Sequence, residues 1–356
     1  MSSQRHDQNT GTRGVSQAHR FDEERLLGYL TEHVDGFGGP LSVRQFKGGQ
    51  SNPTYRLDAG SGRYVLRRKP PGKLLKSAHA VDREFRVISA LHKVGFPVPK
   101  PVLLCEDDAV IGTTFFVMEF VEGRIFWDLD LPDLEPAERT AIYDNVNETI
   151  ATLHNYDYTA LGLADFGKPG NYFARQISRW SGQYRASETQ AVRSMDALLE
   201  WLPDNIPADE SASIVHGDYR LDNMIVHPTE PRVIAVLDWE LSTIGHPLAD
   251  FTYHLMSWQM PKIGIGSIGL HGLPLKDLGI PDEDEYQDWY CRRTGREAGI
   301  ENRNFYSAFN LFRLAAILQG IAGRVRDGTA ASAQASQAEA SVQPLADLGW
   351  RFASKI

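Results

Sequence analysis

Cysteine is nearly absent from this 356-residue chain: only Cys105 and Cys291 occur, far apart and without Cys or His partners at metal-ligand spacing. That excludes a disulfide framework and a zinc module, and suits two buried thiols in a reducing cytoplasm. Long apolar runs are missing too. None approaches the roughly 18 residues that a membrane span needs. Residues 1–20, rich in Ser, Gln, Thr, Gly and Arg, lack the apolar segment of a secretory signal and are expected to form a disordered tail. Basic residues are fewer than acidic ones, 37 Lys and Arg against 46 Asp and Glu for a net charge of −9, and no dense basic stripe is interleaved with aromatics. Neither nucleic acid nor an anionic membrane is an expected partner. The chain is long enough for two unequal lobes, and its 42% hydrophobic and 23% charged content is ordinary for a globular protein.

What is present changes character near Glu122–Gly123. Before that point, Phe21 to His33 carries Leu26, Leu27 and Leu30 at helical spacing. Short strand-like runs follow at Leu41–Phe46, Thr54–Leu57, Arg63–Arg67 and Thr113–Met118, separated by Gly, Ser, Asn and Pro. One helix, Ala78 to Val94, interrupts them. After that point the periods lengthen, with helices expected at Glu135–Asn155, Tyr172–Trp180, Glu188–Leu202, Asp284–Glu297 and Asn304–Val325. Thr329–Ser341 reads as a loop or an Ala-driven helix. The expected class is α+β, with a mostly antiparallel sheet lobe over 21–122 and a mainly helical lobe over 123–356. Within the helical half lies a β-type island of Ser213–Val215, Met224–Val226 and Val233–Leu237, the polar stretches between its runs being the natural place for chemistry.

The island reads His216-Gly217-Asp218, then Asn223 five residues after that Asp, then an apolar strand ending in Asp238, then Asp250. Phosphoryl transfer asks a protein for little covalent chemistry: a base to orient the attacking hydroxyl, and hard oxygen ligands to hold Mg²⁺ against the phosphates. Asp218 suits the base, and Asn223 with Asp238 suits the metal. Each alone reads equally well as a turn residue; together they form a specific pattern.

The segment His216 to Asp250 resembles the catalytic region of the aminoglycoside phosphotransferase and choline kinase group, small-molecule kinases with the two-lobed protein-kinase-like fold. The resemblance implies that Asp218 is the catalytic aspartate, that Asn223 and Asp238 bind magnesium, that Asp250 is structural, and that ATP is the donor to a small-molecule hydroxyl acceptor. Such a fold also needs a nucleotide loop, a basic strand residue and a helix carboxylate. Lys47–Pro53 supplies Gly48, Gly49 and Ser51, small enough for phosphates to approach the backbone, although a hairpin turn would look the same. Arg67 stands where a protein kinase has Lys, with Glu84 as its helix partner. Strand alternation sends Arg67 and Lys69 to one face and Arg68 to the other, so Arg68 reads as the solvated charge. Met118–Gly123 resembles the adenine-holding hinge, with the Glu119 carbonyl and the Val121 amide as its contacts, and Val65, Ile225 and Leu237 are apolar residues suited to sandwich the base; core packing explains these three equally well.

Asp238-Trp239-Glu240 replaces the protein-kinase Asp-Phe-Gly, which fits a small-molecule kinase without a switching activation segment. Leu237 to Gly245 looks most like the kinase-like domains fused to acyl-CoA dehydrogenases, which brings a hydroxyacyl-CoA forward as an alternative acceptor to an amino-sugar. An acidic acceptor site would favour the amino-sugar and a basic one the acyl-CoA; Arg175, Arg179 and Arg313 lean to the second. A nucleotide-binding pseudokinase is the alternative of another class. Gly264-Ile-Gly266-Ser-Ile-Gly269 matches a dinucleotide fingerprint, but the neighbouring Pro261 and Pro274 deny it the strand-to-helix setting. Asp282–Glu285 reads as helix capping and dipole compensation, and His216 as an orienter of the loop that follows it. Oligomeric state is not legible.

Overall fold

The computed structural model describes residues 10–47, 52–70, 80–261, 269–326 and 332–355. They pack as two compact units. The first takes the described residues up to Pro132 together with 159–166 and 220–242, and the second takes 133–158, 167–219 and the remainder from Thr243. The division therefore falls at Pro132 rather than at Glu122–Gly123, and part of the β-type island belongs to the first unit.

In the first unit an antiparallel sheet runs in the order β1-β2-β3-β4-β6-β5, with β1 at Thr12–Arg13, β2 at Ser42–Phe46, β3 at Thr54–Ala59, β4 at Gly62–Arg68, β5 at Pro101–Cys105 and β6 at Phe115–Glu119. Helix α1 (Glu23–His33) starts at Asp22, whose side chain accepts the Arg25 N–H at 2.9 Å, and Glu23 and Glu24 complement its dipole. Its Leu26 and Leu30 join Tyr55, Leu57, Leu66, Phe115 and Val117 in a core on one sheet face. Two expectations change here. The segment 10–20 is not a free tail: Thr12 and Arg13 pair with Phe46 and Gln45. Nor is Arg68 solvated. It shares the face of Leu66 that α1 covers, is 2% exposed, donates to the Ile111 carbonyl at 3.2 Å and lies against the rings of Phe21 and Tyr55. Alternation assigned its face correctly, but α1 and the residues before it bury that face.

Helix α2 (Val81–His92) carries Glu84 and Asp82, which meet Arg67 of β4 and Lys69 just beyond it. Strand β5 went unread because it begins with Pro101. As the last strand of the sheet it can carry a proline that a central strand would not tolerate. Beyond β6 the chain is pinned to the hairpin of Met224–Val226 and Val233–Val236 by reciprocal Arg124–Val226 backbone hydrogen bonds of 2.7 and 2.8 Å. Gly123 permits the approach, since a Cβ there would stand 2.4 Å from both the Ile225 side chain and the Val226 carbonyl.

The second unit is helical around one short antiparallel pair, Ser213–Val215 with Thr243–Gly245. Its helices include α3 (Pro136–Asn155), α4 (Tyr172–Ser187), α5 (Arg193–Asp204), α6 (Pro247–Leu255), α7 (Glu283–Arg293), α8 (Arg303–Arg326) and α9 (Ser332–Ala353). The Ala-rich stretch is thus helical from Ser332. Residues 303–324 are long and apolar enough to cross a membrane by length and composition, yet 78% of that window is buried in the fold, where Phe305, Phe309 and Phe312 form core. Asp282 caps α7 by accepting the Glu285 N–H at 2.9 Å, as its sequence suggests. The glycine pattern from Gly264 lies outside the described residues except for Gly269.

Candidate functional site

Strand β4 ends on a buried cation. Arg67 is 7% exposed, its Nε stands 2.9 Å from Oε2 of Glu84, and its Nη2 lies 2.5 Å from Oδ1 of Asp238 and 3.4 Å from Oε2 of Glu240. The Glu84 approach lacks the angle of a hydrogen bond, so that attraction is coulombic. One guanidinium serves three carboxylates. The Glu84 carboxyl is pushed up to about 7: burial raises it most, Asp238 and Glu240 add to that, and Arg67 and the Trp239 backbone pull it down. Burial works against the charge on Arg67, but Glu84, Asp238 and Glu240 outweigh it and hold its pKa above the ordinary arginine value.

Asp238 follows the hairpin strand Val233–Val236 with φ of 66°, a left-handed conformation that Asp and Asn adopt more readily than other side-chain residues. The Leu237 N–H donates to the Asn223 carbonyl at 2.8 Å, and Met224 pairs with Val236, so the hairpin sets Asn223 and Asp238 at one end. Their amide and carboxylate oxygens are hard donors of the kind Mg²⁺ takes while keeping positions for water and phosphate oxygens, so this pair fits that ion. Glu240, noted from sequence only as a replacement for glycine, accepts from Asn52 Nδ2 at 3.0 Å. Asn52 is fully buried and directly follows the loop of Gly48, Gly49 and Ser51, which lies outside the described residues. Val65 and Ile225 are buried, Leu237 is half-buried, Glu119 closes β6 opposite Tyr64 and is exposed, and Val121 comes two residues later, half-buried.

In the second unit, strand Ser213–Val215 leads into His216-Gly217-Asp218. Asp250, in the first turn of α6, accepts the His216 N–H on Oδ2 at 2.7 Å and the Gly217 N–H on Oδ1 at 2.8 Å. Burial alone would raise the Asp250 carboxyl, but His154, 3.4 Å away, and the His216 N–H hold it below its ordinary value. His154, in the last turn of α3, is itself fixed through Nδ1 by the Tyr290 hydroxyl at 2.7 Å. His216 accepts the Asp218 N–H on Nδ1 at 3.2 Å, and Gly217 supplies the φ of 85° that this tight turn requires. The loop is thus over-determined by buried groups before Asp218 is reached.

Two partners of this loop escaped the sequence. Tyr253 donates its hydroxyl to Oδ1 of Asp218 at 2.7 Å, and Arg313 donates to the Gly217 carbonyl at 2.6 Å. The signal for Tyr253 was its position one helical turn after Asp250. Arg313 also lies 5.0 Å from the Tyr253 ring centroid and 5.9 Å from that of Trp180, whose ring Arg179 approaches at 5.2 Å. Arg175, which the sequence leans toward the acceptor, is occupied elsewhere, donating to the carbonyls of Gly170 and Lys168.

The model of the phosphotransferase enzyme family matches residues 42–264. Acyl-CoA dehydrogenase family member 11 of Rattus norvegicus is 46% identical over 346 residues, covering 96% of this chain and 44% of that protein. Probable acyl-CoA dehydrogenase IBR3 of Arabidopsis thaliana is 44% identical over 341 residues, covering 90% and 41%. This chain spans less than half the length of those relatives. Among solved structures, a putative aminoglycoside phosphotransferase from Ralstonia eutropha superimposes with a TM-score of 0.87 at 55% identity, covering 94% of this chain and 99% of that one. A thermostable mutant of aminoglycoside phosphotransferase APH(4)-Ia, in complex with ADP and hygromycin B, reaches 0.59 at 17% identity over 92% and 98%, a likeness of fold alone. The fold is the α+β, kinase-like fold of those enzymes, and the chain belongs to the phosphotransferase enzyme family.

Proposed function

We propose that this protein transfers the γ-phosphoryl group of ATP to the hydroxyl of a small molecule. The acceptor oxygen attacks the γ-phosphorus while the bond from that phosphorus to the β–γ bridging oxygen breaks and ADP leaves. Asp218 orients the hydroxyl and takes its proton. Asn223 and Asp238 hold magnesium, which when bound neutralises charge on the phosphates. Arg67, held by Glu84, binds the nucleotide phosphates; the loop of Gly48, Gly49 and Ser51 cradles them; and Val65, Ile225, Leu237, Glu119 and Val121 receive the base. The observation that carries this reading is the Arg67 hub, which commits a buried cation to Asp238 and Glu84 together, an arrangement with a clear use at a phosphate site and an expensive one for stability alone. A cytoplasmic setting suits the donor and the buried thiols Cys105 and Cys291.

For the acceptor we favour a hydroxyacyl-CoA. Arg313 is 7% exposed and has no carboxylate partner among the described residues, and Trp180 and Arg179 extend a basic, aromatic surround beside Tyr253. That surround suits an anionic acceptor better than a cationic antibiotic, and the relatives named for acyl-CoA dehydrogenases support the same choice. The solved structure at 55% identity, named a putative aminoglycoside phosphotransferase, keeps an amino-sugar as the second reading. The test is Mg²⁺-dependent ATP consumption against hydroxyacyl-CoAs, aminoglycosides, choline-like amines and sugars, with Asp218→Asn as control. Turnover on a hydroxyacyl-CoA that falls at least a hundredfold in Asp218→Asn is the expected result. Turnover on an aminoglycoside alone overturns the acceptor, and ATP binding without any turnover favours a pseudokinase.

A further inference from the structure

We infer that Arg313 is the specificity-determining residue for the acceptor: its guanidinium binds an acyl oxygen, of a carboxylate or of a thioester, that lies a few bonds from the hydroxyl to be phosphorylated. The inference rests on the phosphotransfer reading and deepens it.

The charge of Arg313 is committed to no anion. The residue lies on α8, is 7% exposed, and pairs with no carboxylate among the described residues. Its Nη2 donates to the Gly217 carbonyl at 2.6 Å, while Nε and Nη1 have no hydrogen-bond partner among the described residues. Its other neighbours are ring faces, with the Tyr253 centroid at 5.0 Å and the Trp180 centroid at 5.9 Å. A cation taken out of water against two rings and one neutral carbonyl works against stability, and a methionine would fill the same space without that penalty. For binding the same arrangement is favourable, because an acceptor oxygen meets a planar donor fork that is already held in place.

The position of that fork decides which part of the acceptor it meets. Gly217 directly precedes Asp218, and the tyrosine ring that Arg313 covers carries the hydroxyl that donates to Oδ1 of Asp218 at 2.7 Å. Fork and base are therefore one residue apart along the loop and bridged through space by a single phenol. An acceptor whose hydroxyl lies at Asp218 brings the atoms a few bonds away beside Arg313. The acyl oxygen of a short hydroxy acid or of its thioester is within that reach, whereas the phosphates of a CoA moiety lie at the far end of the pantetheine arm. Trp180 is held through its Nε1 donor to Gln176 at 3.0 Å and offers an apolar face to the intervening chain. Arg179 approaches the same ring at 5.2 Å and is exposed, so the cluster reaches the surface along α4. Arg313 keeps its proton throughout; it orients an oxygen, and no covalent bond to it forms or breaks.

The test measures kcat/KM of the full chain with MgATP for hydroxybutyrate, hydroxybutyryl-CoA and butanediol, which keeps a hydroxyl and lacks the carbonyl. Wild type is compared with Arg313→Gln and Arg313→Lys. The wild-type protein is expected to prefer an acyl acceptor to butanediol by at least about tenfold, and the acyl acceptor it prefers tells a carboxylate from a thioester. Arg313→Gln is expected to lose about tenfold to hundredfold more on that acceptor than on butanediol, mainly through KM, so the preference collapses. Arg313→Lys, which keeps the charge without the fork, is expected to recover part of the loss. The wild-type preference and the lysine variant carry the test even where the glutamine variant melts early. An equal loss on all acceptors in Arg313→Gln would show that the arginine acts only through the Gly217 carbonyl, and would overturn the inference. Wild-type turnover that shows no preference for an acyl acceptor, or that is confined to amines or sugars, overturns it too; each of these outcomes leaves the kinase reading intact. Absence of turnover by the wild-type protein on every acceptor class instead removes the kinase reading, and this inference with it.

Discussion

Replacing Glu84 by Gln should make the protein clearly more stable at pH 8 and only slightly so near pH 5, although the substitution deletes one half of a buried ion pair. The side chain of Glu84 is 2% exposed and that of Arg67 9%. Three carboxylates compete for that one guanidinium, and burial lifts the Glu84 carboxyl from an ordinary 4.5 to about 7. Between those values the folded chain holds a proton that the unfolded chain has released, so stability falls as pH rises through this window and levels off above it. At about 1.4 kcal/mol for each tenfold change in proton affinity, the full span is worth about 3 kcal/mol. Glutamine resembles the protonated form: it matches wild type at low pH and escapes the penalty at high pH. Urea unfolding at pH 5 and pH 8, in EDTA so that no metal adds its charge at Asp238, measures the gap at each. A gap of about 1 kcal/mol at pH 5 that widens to about 3 kcal/mol in favour of Glu84→Gln at pH 8 is the expected outcome. A variant destabilised by about 3–5 kcal/mol at pH 8 would mean that Glu84 is a fully ionised partner whose loss strands Arg67, and the charge balance argued here would be refuted.

Two further outcomes follow from the second unit. Asp250→Asn leaves one oxygen for the two backbone N–H groups of His216 and Gly217, so it should destabilise by about 2–3 kcal/mol and lower turnover; thermal unfolding beside a kcat measurement checks both, and an unchanged melting temperature would show that the loop is held elsewhere. His254 is buried and neutral, donating from Nδ1 to the Tyr219 carbonyl and accepting the Tyr286 hydroxyl on Nε2 at 3.0 Å, and burial lowers its pKa from 6.5 to about 4. The unfolded chain therefore binds a proton that the folded chain refuses, and His254 lowers stability by about 3 kcal/mol as pH drops from about 6.5 to 4; His246, likewise lowered to about 4 by burial, adds to the same limb, so His254→Gln should make the limb shallower, and a parallel limb would exclude His254 as a source.

How far the sequence could be read depended on whether a residue's role is local. The spacing of Asp218, Asn223 and Asp238 is a local property of a loop and a hairpin, and the sheet of the first unit follows from alternation and turn residues, so both were legible. What failed was coverage. Arg68 was assigned to the right face, yet nothing in the strand says that α1 lies over it. Helix α6 was missed because it is short and buried all round, which leaves no polar face to set a period. With it went Tyr253, whose partner lies 35 residues earlier, and nothing in the sequence around Arg313 indicates that it reaches Gly217. The order of residues 10–20 was hidden for the opposite reason: a two-residue strand carries no periodicity at all.

The two departures from the protein-kinase pattern, Arg67 for lysine and Glu240 for glycine, fit each other. A lysine ammonium is a compact point charge that can settle between two carboxylates, as the Glu84 and Asp238 pair would ask. Glu240 adds a third carboxylate on the far side, and a planar fork meets that demand: Nε faces Glu84 while Nη2 faces Asp238 and Glu240. Restoring lysine at 67 would leave Glu240 without its cation, and restoring glycine at 240 would remove the acceptor that Asn52 uses at 3.0 Å. Through Asn52 the arrangement reaches the end of the loop that carries Gly48, Gly49 and Ser51. The extra carboxylate therefore does what the arginine alone cannot, tying the strand that carries the cation, Asp238 and the start of β3 into one polar network.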